Sequence, residues 1–263
     1  MRIHAFSTGT VRLKHAFLFA RTGPRRQLDL LLPGRWSDPV PIHCWAIEHD
    51  GKLILVDTGE TAEVKDIPFA HFQVGRDDEL PSRLAAAGLK LSDVDKVVLT
   101  HMHGDHMDGA VHVNGPVLVH EEELAFTHTR AAKVMSRVLR QPVPANVQWE
   151  PFALDSGPFG AFPRSRALTD DGRVVAVDTK GHSPGHVSII CIDDDGRHVM
   201  LAGDTSDTLE QLHALRADAV APKPAVYVET LRTILAHARE HQTVYLPSHD
   251  PESVSRLAGL ATL

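Results

Sequence analysis

Thr100-His101-Met102-His103-Gly104-Asp105-His106-Met107-Asp108-Gly109 follows directly on the apolar run Lys96-Val97-Val98-Leu99. The apolar run reads as a short buried strand. The polar residues therefore sit where the chain leaves a sheet, a usual place for functional side chains on a rigid scaffold. On an extended backbone His101 and His103 project the same way, whereas the adjacent Asp105 and His106 must diverge. One run can thus serve two neighbouring metal ions, one through each pair. Imidazole with carboxylate suits zinc, iron, manganese or cobalt, and the absence of a nearby Cys disfavours a structural thiolate site. A His-rich surface loop is the ordinary alternative, but four candidate ligands at this spacing behind a strand seldom arise that way. Asp108 reads as a cap or as support for the ligands.

Working outward, three further places repeat the pattern of a strand end running into a loop. Gly181-His182-Ser183-Pro184-Gly185-His186 is a tight turn that can present an imidazole at a defined angle. Spacing alone does not choose between His182 and His186. Gly203-Asp204-Thr205 sets a carboxylate at the end of the apolar run Val199-Met200-Leu201-Ala202, and Ser248-His249-Asp250 follows another such run. Taken singly these are a turn His, a capping Asp and a surface His. Taken with the first run, they divide between two metals. His101 and His103 join one histidine of the turn, Asp105 and His106 join His249, and Asp204 bridges. Two-metal hydrolases space their ions about 3.5–4 Å apart and keep an exchangeable position.

The rest of the chain supplies the frame. Two apolar runs flank Asp50-Gly51 within residues 42–57 and predict a hairpin with a type I′ turn. A helix is expected over 78–87, with Pro81 in its first turn and Gly88 past its end. Strands are expected at 96–100, 117–119, 174–177, 187–192, 198–202 and 243–246. Helices are expected at 121–126, 226–240 and 252–260, with helical spacing also over 130–140. Residues 141–171 hold Pro142, Pro144, Pro151, Pro158 and Pro163 among Trp149, Phe152, Phe159 and Phe162. That mixture reads as an ordered loop covering something apolar, and its aromatics as core packing ahead of an acyl pocket. Strands precede helices in both halves, which favours two sheets with helices outside in one domain. That domain spans 1–263, with 128–172 a Pro- and aromatic-rich insert near the site.

Composition narrows the function classes. The 263 residues carry a net charge of −7 with no long basic run, which argues against a nucleic-acid surface. No stretch approaches the ~18 apolar residues that span a bilayer, and residues 1–7 lack the apolar core of a secretory signal. The expectation is a cytoplasmic protein with neither membrane nor nucleic acid as a partner. The two cysteines, Cys44 and Cys191, lie in apolar segments and read as buried thiols.

The His-x-His-x-Asp-His run, the Gly-His-Ser-Pro-Gly-His turn, the Gly-Asp-Thr strand end and the late His-Asp resemble the metallo-β-lactamase superfamily. The hairpin ending in Val56-Asp57-Thr58-Gly59 matches its early motif, and the matches span residues 42–250 in the expected order. The resemblance implies an α/β fold, a four-layer αββα sandwich with the metals at one edge. It selects His186 as the ligand of the turn, making the set His101, His103, Asp105, His106, His186, Asp204 and His249. Asp57 becomes a support that orients them.

Within the superfamily the layout is most similar to N-acyl homoserine lactone lactonases. The resemblance then implies two divalent metal ions, with Zn²⁺ first and Fe, Mn or Co as alternatives. It implies a small lactone or ester substrate, opened by attack of a metal-bridging hydroxide, and it is compatible with a homodimer. Asp105 is the expected proton shuttle. Those lactonases carry a Tyr three residues after the bridging Asp; here that position is Asp207, a second acid or a substrate-orienting group. The departure keeps a glyoxalase-II-like thioesterase and a phosphoester or phosphotriester hydrolase as alternatives on the same site.

Overall fold

The computed structural model of the chain describes residues 1–20, 23 and 26–263. Asp50 and Gly51 both take positive φ, 50° and 71°, the type I′ signature, and His49 pairs with Lys52 across them. Strands β1 (Arg2–Leu13), β2 (Val40–His49), β3 (Lys52–Val56), β4 (Ala70–Gln73), β5 (Lys96–Val98), β6 (Pro116–His120) and β7 (Gln148–Phe152) make one sheet in the order β4-β1-β2-β3-β5-β6-β7. Strands β8 (Gly157–Phe159), β9 (Phe162–Ala167), β10 (Val174–Asp178), β11 (Val187–Ile192), β12 (His198–Gly203) and β13 (Thr243–Pro247) make the other, in the order β13-β12-β11-β10-β9-β8. Both sheets are mixed: β3, β5, β6 and β7 run parallel, as do β12 and β13. The helices are α1 (His15–Leu18), α2 (Leu80–Ala86), α3 (Gly104–Met107), α4 (Glu121–Thr127), α5 (Arg130–Leu139), α6 (Leu209–His213), α7 (Pro224–Glu240) and α8 (Ser253–Gly259).

The period-two alternation of each strand sorts its side chains into layers. From β3, Ile54 and Val56 point between the sheets, where they join Val174, Ala176, Ile189, Cys191 and Leu201. Leu53 and Leu55 point the other way, onto Leu80 and Leu84 of α2. In the second sheet Val175, Val177, Ile190 and Met200 face outward onto Tyr227, Leu231 and Ile234 of α7. The result is the expected four layers, helix on sheet on sheet on helix. Cys44 and Cys191 are buried free thiols. Ile54 is 1% exposed, and cutting it to Ala would cost about 2–5 kcal/mol in lost transfer energy and cavity.

Two expectations need correction. The second helix begins at Leu80, two residues late, because Asp77 and Asp78 close a 3₁₀ turn and Glu79 is extended at ψ 154°. Pro81 then stands at the start of the helix, where its missing N–H costs nothing. The larger correction concerns 141–171, which contributes three strands. Phe152 packs between the sheets, Phe162 and Phe159 pack under α7, and Trp149 joins the α2 side. The stretch is framework, and only its beginning stays near the ligand loop. There Arg140, Gln141, Pro142 and Pro144 line a cleft of about 480 Å³ with Asp108 and His112.

Candidate metal centre

The C-terminal ends of β3, β5 and β12 and the loop after β13 meet at one edge of the sandwich. Asp57 leaves β3 in the left-handed region at φ 62°, a conformation Asp tolerates better than most residues. Fully buried, its carboxylate accepts the Thr100 N–H at 2.7 Å and the Thr100 hydroxyl at 2.9 Å. It also meets His106 Nδ1 at 2.8 Å. That contact fixes the His106 ring so that Nε2 faces Asp204 Oδ1, 3.2 Å away. Gly59 is obligatory in this corner, since at φ 73° a Cβ would stand 2.1 Å from Thr8 Oγ1.

Seven side chains converge in three overlapping triplets: His101, His103 and His182; His101, His106 and Asp204; Asp105, His106 and His249. Within each triplet the candidate donor atoms lie within 4.8 Å of one another. His101 Nε2 is 3.0 Å from His103 Nδ1, which is 2.8 Å from His182 Nε2. On the other side His249 Nε2 is 3.4 Å from Asp105 Oδ2. Asp204 stands between the groups, its carboxylate 3.9 Å from His101, 3.2 Å from His106, 3.5 Å from His182 and 3.4 Å from His249.

His186 does not join them. Its Nδ1 is 2.9 Å from Thr179 Oγ1, and its Nε2 accepts the Asp204 N–H at 3.0 Å, so neither ring nitrogen is left to bind an ion. The ring lies beneath Gly203, where a Cβ would come within 2.6 Å of Nε2. His186 thus holds the backbone that carries Asp204, and His182 takes the place expected for it. The reason is the turn. Gly181 adopts φ 153° with its Cα pressed against Tyr227, so a Cβ there would meet Tyr227 Cα at 2.6 Å. The next residue is thereby aimed into the cluster. Asp218 backs it, with Oδ2 2.5 Å from His182 Nδ1 and Oδ1 accepting the Ala221 N–H at 2.7 Å.

Buried Glu123 of α4 ties the two histidine loops together. It accepts the Met102 N–H at 3.1 Å, the Ser183 hydroxyl at 2.8 Å and the Gly185 N–H at 2.8 Å. Below Asp204, the Tyr245 hydroxyl meets Thr205 Oγ1 at 2.6 Å and Ser206 Oγ at 2.8 Å, while the Tyr227 hydroxyl donates to the Asp204 carbonyl at 3.5 Å. Both tyrosines of the chain therefore pin the strand end from other elements, and both are buried. Asp207 is buried as well and its N–H donates to Gln211 Oε1 at 2.6 Å.

Burial among like rings pushes His101 far down and His103 down to about 3. Burial alone would lower His106 too, but the charges of Asp204 and Asp57 overcome it and raise that ring well above its usual value. His182 likewise overcomes burial through Asp218 and rises to about 9. Burial and the neighbouring Asp204 charge lift Asp207 to about 7. At the rear of the ligand loop, burial and mutual repulsion raise Glu60 to about 9 and burial raises Asp108 to about 7.

The sequence profile of the metallo-beta-lactamase superfamily matches residues 37–249. The chain belongs to that superfamily. Similar relatives include the N-acyl homoserine lactonase AttM of Rhizobium radiobacter, 22% identical over 226 residues, covering 81% of this chain and 83% of the relative. An N-acyl homoserine lactonase of Bacillus cereus is 27% identical over 191 residues, covering 68% and 69%. Among solved structures, an N-acyl homoserine lactone hydrolase with N-hexanoyl-L-homoserine bound at its catalytic metal centre superposes with a TM-score of 0.75. It is 18% identical and covers 96% of this chain and 94% of its own.

The donor set of this member fits divalent metal ions. His106 Nε2 and Asp204 Oδ1 are buried and face each other at 3.2 Å, yet neither has a hydrogen-bond partner among the described residues. Buried polar atoms left this way cost free energy unless a partner such as a cation receives them. Imidazole and carboxylate are the donors that zinc and its first-row neighbours take. Two contributors escaped the sequence reading altogether. Glu123 lies in a run of three glutamates and Asp218 between two alanines, and neither carries any local mark of its role.

Proposed function

We propose that the chain opens a lactone, an N-acyl homoserine lactone in preference to other esters, using two divalent cations, zinc by donor chemistry. His101, His103 and His182 would hold one ion, Asp105, His106 and His249 the other, with Asp204 shared. The observation that carries the reading is Asp204, a single buried carboxylate within 3.9 Å of four imidazoles from three other loops. Lactonase relatives aligned over most of the chain support the substrate class.

Bound ions would supply an activated water near neutral pH and a Lewis acid for the substrate carbonyl. The chain's own residues do the aiming. Asp57 fixes His106, Asp218 fixes His182, and the Pro41 carbonyl accepts from His249 Nδ1 at 2.9 Å, so each ring keeps Nε2 toward the centre. Asp105 meets His249 through Oδ2, and among the described residues no contact occupies its second oxygen, which would take a proton from the attacking water and pass it to the leaving alkoxide. Asp207, held near 7, can retain a proton at neutral pH and orient the substrate by donating it.

Asp207 also favours a second reading, because it stands where the resemblance implies a lactone-binding Tyr. That reading is a thioesterase or a phosphoester or phosphotriester hydrolase on the same residues. Parallel turnover of N-hexanoyl homoserine lactone, an acyl thioester and a nitrophenyl phosphate ester decides between them. Lactone opening should be fastest; faster thioester or phosphate turnover overturns the first reading in favour of the second.

A further inference from the structure

Helix α5 is built for a surface that the described chain does not supply. None of its side chains is buried. Ala132, Ser136 and Leu139 form its half-covered side. Beside them runs an apolar stripe at helical spacing in which Val134 is 58%, Met135 55% and Val138 69% exposed. Arg130, Lys133 and Arg137 fill the remaining side, and no acidic residue occurs from Thr127 to Trp149. Among the described residues no ion pair engages these three cations. Leu139 anchors the helix on the same cluster as Leu30, and Leu28, Leu31 and Leu32 around it are 56%, 65% and 56% exposed.

We infer that α5 docks this protein on an anionic lipid bilayer. Apolar residues beside a Lys/Arg-rich face are the marks of a helix lying in a membrane interface. Charge complementarity selects the occupant. A chain of net charge −7 is repelled by anionic lipid except where its cations are concentrated, and here they are concentrated beside exposed apolar side chains. Docking is peripheral, as among the described residues no helix is long and apolar enough to cross a membrane. It would also bring the ligand loop close to the headgroups. Gln141, the second residue beyond α5, reaches within 3.4 Å of where a Cβ on Gly104 would stand. The inference goes beyond the proposed reaction and stands without it.

Flotation with vesicles tests it. The wild-type chain should float with phosphatidylcholine vesicles containing phosphatidylglycerol, stay behind with pure phosphatidylcholine, and be released by high salt. Lys133→Gln with Arg137→Gln should lower partitioning about fivefold for each charge, the equivalent of roughly 1 kcal/mol per basic residue at an anionic surface. Val134→Ser with Val138→Ser should abolish flotation while circular dichroism and turnover of a short soluble ester stay unchanged. Equal flotation with neutral vesicles, or flotation unchanged in both variants, overturns the inference. So does a wild-type chain that ignores anionic vesicles, including one that uses this face to join a second copy in sedimentation equilibrium.

Discussion

Strand β12 carries a histidine cluster at each end, and the two behave oppositely. At its C-terminal end, five imidazoles are interleaved with carboxylates: Asp57 behind His106, Asp218 behind His182, Asp105 beside His249, Asp204 among them. At its N-terminal end His198 Nδ1 meets His237 Nε2 at 2.8 Å, and His241 stacks on His198 with ring centroids 4.5 Å apart. Phe159 covers that group, and no carboxylate bonds to it among the described residues. His198 and His241 stack at 9° and so do not aim their in-plane lone pairs at one ion, and the second cluster is a piece of core. Imidazole count does not make a metal centre; carboxylates set among and behind the rings do.

The contrast can be broken most severely at Asp204. Asp204→Asn should lower turnover by roughly three orders of magnitude or more, because the carboxylate shared by both groups is lost. Steady-state kinetics on a folded variant checks this, and near-wild-type rates would remove Asp204 from the centre. Asp218→Asn comes next. It keeps the volume but releases the His182 ring, and should cost 10–100-fold in metal affinity or activity, read by competition with a chelator.

The opposite end of β12 gives a stability prediction. Burial and neighbouring rings hold His198 and His237 down at about 4, against 6.5 for the free side chain. Both folded values lie below the unfolded one. The stability owed to the neutral rings is therefore complete above about 6.5 and is lost as pH falls toward 4, by a few kcal/mol in total. Replacing His198 and His237 together by Leu should flatten denaturation stability over that window relative to wild type and leave metal content and turnover alone. A loss of metal from that variant would erase the distinction between the clusters. The smallest effect is expected at Asp207→Tyr, a shift of roughly tenfold in the ratio of lactone to ester turnover. An unchanged ratio would remove Asp207 from substrate contact.

Much of this was legible in the sequence, for physical reasons. His101, His103, Asp105 and His106 share one short loop, so their roles follow from local spacing. The hairpin at Asp50-Gly51 needs only a two-residue turn preference. The choice of His182 over His186 was not legible, because which ring turns inward depends on Gly181 pressed against α7, a contact between distant segments. Asp218 and Glu123 act across similar separations. The strands within 141–171 were hidden by their prolines. Pro151 and Pro158 lie on β7 and β8, which end their sheets, and an edge strand tolerates the lost N–H.

The most direct test is elemental analysis of purified wild-type, His182→Ala and His186→Ala chains side by side. The account predicts about two divalent ions per chain in the wild type, a marked loss in His182→Ala, and retention in folded His186→Ala. Metal-free but fully active wild-type protein, or metal lost from His186→Ala and kept by His182→Ala, would contradict it.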